Sequence, residues 1–142
     1  MPDVRHLAVL PHVRDLAIAY ALAFLIGWNR EREGRSAGMR TFPLMAIAAC
    51  GFIQATEGLL CGEPGGMARI VEGVIRGIGF IGGGAILKCG GEVQGTATAA
   101  SLWATGAIAA VGLANYDVAV VICLFTVATL YGLRHRKTKE AS

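Results

Sequence analysis

The sequence predicts an all-α membrane protein, a polytopic bundle of about five transmembrane helices within a single domain over residues 1–142. Hydrophobic residues make up 54% of the chain and charged residues only 16%, with the charges clustered between long uncharged runs. A soluble domain of this length would spread its charges more evenly. The longest uncharged run, residues 93–116, has 24 residues. A helix needs about 20 residues to cross the hydrocarbon core, so this run is long enough for one crossing.

Five apolar stretches predict the five spans, and they occupy residues 16–28, 42–55, 70–87, 93–116 and 118–133. The first two are short, so we expect them to use interfacial flanks such as Arg14, Trp28 and Thr56, with the arginine reaching toward the headgroups. A soluble bundle of buried helical hairpins is the alternative fold. Residues 1–15 lack a continuous apolar core and no small-residue cleavage site follows them, so they do not resemble a cleaved signal peptide.

The distribution of basic residues predicts the orientation of the bundle. Most of them lie between the first two spans or after the fifth: Arg30, Arg32, Arg35, Arg40, Arg134, Arg136, Lys137 and Lys139. By the positive-inside rule both segments are cytoplasmic, which places the C-terminus inside and, with five spans, the N-terminus outside. Arg5 and Arg14 oppose this orientation but are outnumbered. The same orientation places Cys61 outside and Cys89 in the cytoplasm.

The cysteines and histidines do not indicate a metal centre. The four cysteines contain no CxxC pair and do not have the regular spacing of a disulfide framework. The three histidines lie in terminal segments without the spacing of metal ligands. No HExxH, GxSxG or P-loop pattern occurs. We therefore expect no metal, no cofactor, no catalytic residues and no enzymatic activity.

The third stretch carries two ionisable residues, Glu72 and Arg76, within an apolar helix. Such a group at bilayer depth costs at least about 2.5 to 3.5 kcal/mol, so it persists only when paired or facing a polar cavity. A glutamate four residues before an arginine is the favourable order for an intrahelical pair. Gly79 and Gly83 continue the same helical face. This face is either a neutralised packing device or a functional polar pocket.

Glycines are dense in the same span, where a second ridge of Gly73, Gly77 and Gly84 offers a surface to a partner, such as a second subunit. Gly77, Gly79 and Gly82 also form the GxGxxG spacing of dinucleotide sites. However, no strand is predicted before them, and no acidic residue lies between Glu92 and Asp117, where a ribose ligand would be expected. We interpret these glycines as helix-packing residues.

The fourth span has a stripe of small residues at intervals of four: Ala97, Ser101, Thr105 and Ala109. Trp103 lies on the opposite side. Membrane helices associate through close approach of small residues, so the stripe predicts a packing seam.

The first cytoplasmic loop, residues 29–40, reads NREREGRSAGMR and includes Asn29, Arg30 and Arg40. Thr41 follows it and can cap the second span. The arginines can hold anionic lipid headgroups, although their density also suits docking of a partner.

Three ordered blocks of this chain resemble the integral-membrane domain of the MgtC/SapB family: GWNREREGRSAGMRT at 27–41, GIGFIGGGAILK at 77–88 and VQGTATAASLWATG at 93–106. The resemblance implies a multi-pass protein of the bacterial inner membrane, linked to magnesium limitation, membrane energetics, and stress or virulence adaptation. It also implies a membrane complex such as the ATP synthase as a partner.

This chain departs from the family pattern in two ways. Asn29 replaces the usual glutamate, and the chain ends nine residues after Leu133, so we expect the membrane domain without the soluble C-terminal domain of longer members.

Two functions remain open after these observations. The first is a non-enzymatic regulator that acts through helix contacts with itself or with another membrane complex. The second is a small ion (Mg²⁺ or H⁺) or solute transporter whose pathway passes Glu72 and Arg76. A transporter needs a polar route through the bundle, whereas a regulator needs an exposed helical surface. One charged pair with few other polar residues in line favours the regulator. We expect the lipid bilayer to surround the protein, and we expect no nucleic-acid partner.

Overall fold

Helices account for most of the chain in the computed structural model, which describes residues 5–35, 37–57, 60, 62–89 and 91–140. They are α1 (Arg5–Arg32), α2 (Thr41–Glu57), α3 (Pro64–Gly84), α4 (Thr96–Ile108) and α5 (Tyr116–Glu140). A 3-10 helix, Ala109–Leu113, follows α4. The predicted all-α class is confirmed in its main elements. An antiparallel hairpin of β1 (Leu87–Cys89) and β2 (Glu92–Gln94) connects α3 to α4, and the sequence did not predict it.

Helix α1 is longer than the first apolar stretch suggested. Its segment Val9–Arg32 has 24 residues, which correspond to about 36 Å of helix. Within the described part of the chain, it is the one helix that is both long enough and apolar enough to cross a membrane. The segments Thr41–Thr56 and Tyr116–Gly132 are apolar but shorter. The count of five crossings therefore stays a prediction.

The uncharged run 93–116 does not form one continuous helix, contrary to the sequence prediction. It begins in β2, and α4 has only 13 residues, or about 20 Å of helix, against a hydrocarbon core of about 30 Å. The break at Gly95 has a backbone cause. Its φ of 89° lies in the left-handed region, and a Cβ atom there would overlap the carbonyl oxygen of Ala85. Hydropathy does not report such a turn, so the run appeared longer than its helix.

The core lies mainly between α1, α2, α4 and α5. Helix α1 buries Ala19, Ala23 and Ile26, which share one face, and α2 packs against α1. Helix α3 is peripheral, because among its described residues two are buried, Ile78 and Gly82. Most of its surface is therefore available to its surroundings.

Candidate helix contact surface

The inner side of α3 contacts α4 at two glycines, one on each helix, where the helices come close together. A Cβ atom at Gly82 would lie 3.3 Å from the carbonyl oxygen of Ala99, and one at Gly106 would overlap Cδ1 of Ile78. The predicted packing residue Gly82 thus lies at a helix contact. By contrast, Cβ atoms built at the other predicted glycines of this span meet no described atom within 4 Å: Gly77, Gly79, Gly83 and Gly84. These positions leave open space beside α3.

Glu72 and Arg76 form an ion pair on the outer side of the same helix. The Nη2 atom of Arg76 lies 2.5 Å from Oε1 of Glu72, and the two side chains are 78% and 57% exposed. Phe80 is 86% exposed one turn further along. The sequence left helix packing and a polar pocket as alternatives for this pair. In the structure the pair lies on the exposed side of α3. We call the exposed side of α3 that carries Glu72, Arg76, Gly79, Phe80 and Gly83 the outer face.

The small-residue stripe of α4 is divided between the interior and the surface. Ser101 and Thr105 are buried, whereas Ala97 is exposed. The Ser101 hydroxyl donates to the carbonyl oxygen of Thr98 at 2.9 Å, and the Thr105 hydroxyl donates to that of Ser101 at 2.8 Å. Since their own helix satisfies these hydroxyls, both residues can pack in the core without a polar partner on another helix.

The basic segment 29–40 is not all loop, contrary to the sequence prediction, because α1 continues to Arg32 and includes Asn29 and Arg30 in its last turn. Arg30 and Asn29 are buried, and the Arg30 guanidinium donates to Oδ1 of Asn29 and pairs with Glu33 at 2.8 Å. Arg40, in contrast, is exposed, and Thr41 is the half-buried first residue of α2. The loop returns onto α1 at Gly27, where a Cβ atom would lie 2.9 Å from the carbonyl oxygen of Gly38. Arg30 therefore organises the loop, while Arg40 faces outward.

A second polar cluster, which the sequence did not indicate, joins α1 to α5. The Tyr116 hydroxyl donates to Oδ1 of the buried Asp15 at 2.5 Å, and Arg14 donates both to that hydroxyl and to Oδ1. The Arg14 guanidinium also lies over the Tyr116 ring, 5.4 Å from its centroid. We call these three residues the Asp15 cluster. The only available signal was an Arg-Asp pair at the edge of an apolar stretch, and it did not reveal a partner 101 residues away.

The cysteines differ in their location and burial. Cys50 and Cys123 are buried free thiols. Cys61 lies outside the described residues, and Cys89 belongs to β1. Within the described ranges, no group of three or more His, Cys, Asp and Glu residues is placed to hold a metal ion.

Comparison with known proteins identifies the family. A profile described as the MgtC family matches residues 16–139, nearly the whole chain and all three blocks that carried the resemblance. The chain belongs to the MgtC family. Membership and the apolar length of α1 together support a membrane location.

Curated relatives within this family are similar over most of the chain. Protein SrpB of Synechococcus elongatus is 38% identical over 132 residues, which cover 84% of this chain and 72% of SrpB. Protein MgtC of Salmonella typhimurium is 38% identical over 100 residues, or 70% of this chain and 42% of that protein. Protein MgtC of Brucella abortus is 36% identical over 118 residues, or 81% and 49%. The chain thus spans less than half the length of these MgtC proteins, and no solved structure matches it.

Proposed function

We propose that this MgtC-family protein is a non-enzymatic, multi-pass regulator of the bacterial inner membrane that acts through helix contacts on the outer face. Family membership and the long apolar α1 support the membrane setting. The arginines at the end of α1 and in the loop before α2, together with the arginines and lysines near the end of α5, support a cytoplasmic C-terminus. The link to magnesium limitation, stress and virulence adaptation follows from the family resemblance.

The observation that carries the proposal is the outward position of the Glu72–Arg76 pair. Both residues lie near the middle of α3, which has 21 residues, and both are more than half exposed. If α3 crosses the bilayer, this pair lies among acyl chains unless another helix covers it. A charged group at that depth costs about 2.5 to 3.5 kcal/mol on insertion scales. A covering helix would reduce this cost, and Gly79 and Gly83 leave room for its close approach.

The occupant of the outer face is either a second copy of the chain or a helix of another membrane complex, such as the ATP synthase. The transporter alternative receives less support. The two clefts beside α3 are lined mostly by apolar side chains, including Met45, Ile70 and Val74. Such walls offer few groups to replace an ion's hydration shell.

Reconstitution separates the two functions. Purified protein in liposomes should carry no magnesium or proton flux, whereas cells lacking the protein should grow poorly at low magnesium or show an altered membrane potential. Arg76→Ala should abolish complementation of these cells even when its membrane level is matched to that of the parent chain, while Arg32→Ala, which changes an exposed arginine outside the outer face, should retain it. A robust flux that disappears in folded Arg76→Ala protein would support the transporter instead.

A further inference from the structure

A long apolar groove runs between α2 and α3, on a different side of α3 from the outer face. Its volume is about 400 Å³, within the range of roughly 300–1,000 Å³ typical of small-molecule sites. Ala49 and Phe52 line it from α2, and Gly73, Gly77 and Ile81 line it from α3. Cβ atoms at Gly73 and Gly77 meet nothing described within 4 Å, so the missing side chains leave the groove open.

The length of the groove matches one leaflet of a bilayer. On α2 it extends from Met45 to Thr56, which corresponds to about 17 Å along the helix. Half of a hydrocarbon core of about 30 Å is about 15 Å. The Thr56 hydroxyl donates to the carbonyl oxygen of Phe52 at 2.9 Å, so it places no polar demand on an occupant. The groove therefore suits an extended hydrocarbon chain.

One end of the groove carries a positive charge. Arg69, in the second turn of α3, lies at the same end as Thr56 and is exposed. In the proposed orientation, this is the outer end of both helices, at headgroup depth. An arginine there attracts a phosphate group and can bind it through two parallel hydrogen bonds.

We propose that this groove binds one acyl chain of an anionic glycerophospholipid, with its phosphate held at Arg69. The inference rests on the membrane embedding of the proposed function. A second copy of this chain is a poorer fit, because a helix with its side chains is about 10 Å or more wide and would meet the projecting Phe52 side chain, which is 62% exposed. A single acyl chain passes between Phe52 and the glycines of α3.

The test uses the full chain, extracted from membranes in a mild detergent, washed free of lipid and incubated with phosphatidylglycerol or phosphatidylcholine. Native mass spectrometry then counts bound lipids. We expect one phosphatidylglycerol per chain and a preference of about fivefold over phosphatidylcholine, the ratio that corresponds to about 1 kcal/mol for one basic side chain near an anionic surface. Arg69→Gln should remove the preference. Gly77→Leu should fill the groove and abolish binding of both lipids.

Gly132→Leu is the matched control, because a Cβ atom at Gly132 on α5 also meets open space, away from the groove. It should bind lipid as the parent chain does. Equal retention of the two lipids by the parent chain, or unchanged binding by Gly77→Leu, would overturn the inference, as would lipid-free dimers that Gly77→Leu converts to monomers. If circular dichroism shows that Gly77→Leu is unfolded, the lipid preference of Arg69→Gln tests the inference alone. Absence of the protein from the membrane fraction contradicts the proposed function, whereas a membrane-embedded protein without lipid selectivity contradicts this inference alone.

Discussion

The hydroxyl of Tyr116 donates a 2.5 Å hydrogen bond to the buried carboxylate of Asp15 and thereby joins the first turn of α5 to α1. Arg14 completes the arrangement by donating to both groups. A buried carboxylate is costly unless its oxygens are hydrogen-bonded, so these contacts make an acidic residue tolerable within a largely apolar helix. The Asp15 cluster is therefore a structural link between two helices that are distant in sequence.

Removing the Tyr116 hydroxyl should loosen this link. We expect Tyr116→Phe to lower the thermal unfolding midpoint by a few degrees, because Asp15 loses a charge-assisted hydrogen bond. Circular dichroism in detergent measures the midpoint. Tyr131→Phe, which alters an exposed tyrosine on the same helix, should leave it unchanged. Asp15→Ala should make the effect of Tyr116→Phe disappear, and an undiminished effect in that background would show that the two groups are not coupled.

Glu72 and Arg76 should be energetically coupled even though both are exposed. Alanine at either position leaves the other charge alone, so each single variant should reduce the amount of folded protein in the membrane more than the double variant does. Quantitative immunoblotting of membrane fractions measures this difference. Asp117→Ala removes an exposed acidic side chain outside α3 and serves as a control for charge loss. Additive losses would mean that Glu72 and Arg76 do not stabilise each other.

Arg30 and Arg40 should differ in their effect on stability, although both belong to the basic segment 29–40. The Arg30 side chain is 3% exposed and pairs with Glu33, so Arg30→Ala leaves a partly buried carboxylate without its partner and should cost about 2 kcal/mol. Arg40 is exposed, and Arg40→Ala should change the unfolding free energy by less than about 0.5 kcal/mol. Denaturant titrations of the two variants compare these costs. Equal destabilisation would contradict the organising role of Arg30.

The sequence predicted elements whose signal is local and missed contacts that depend on tertiary structure. Apolar runs located all five helices, and the spacing of Glu72 and Arg76 predicted their pairing. The turn at Gly95 was missed because it depends on the approach of the Ala85 carbonyl. Hydropathy likewise could not show which side of α3 is covered by α4. Asp15 and Tyr116 were missed because neither residue reveals a partner so far along the chain.

The orientation of the chain can be tested with its own cysteines. Cys61 should react with a membrane-impermeant thiol reagent in intact cells, and Cys89 should react only after the cells are opened, because the basic segments between the first two spans and after the fifth place the loop that carries Cys61 outside and the loop that carries Cys89 in the cytoplasm. Cys50 and Cys123 are buried and act as internal controls that should stay unlabelled in the folded protein. Single-cysteine variants analysed by mass shift separate the sites. Labelling of Cys89 with protection of Cys61 would reverse the topology.

Two glycine positions should separate folding of the chain from its association with a partner. A Cβ atom at Gly106 would overlap Ile78, so Gly106→Leu should destabilise the α3–α4 contact by about 3 kcal/mol, the upper range for overpacking. Gly79 has open space beside it, so Gly79→Leu should fold normally but push away a helix that approaches the outer face. Unfolding curves and native gel electrophoresis of membrane extracts measure the two effects independently. A Gly79→Leu protein that retains every complex of the parent chain would show that this side of α3 faces lipid, because a leucine there could not be accommodated beneath a closely packed helix.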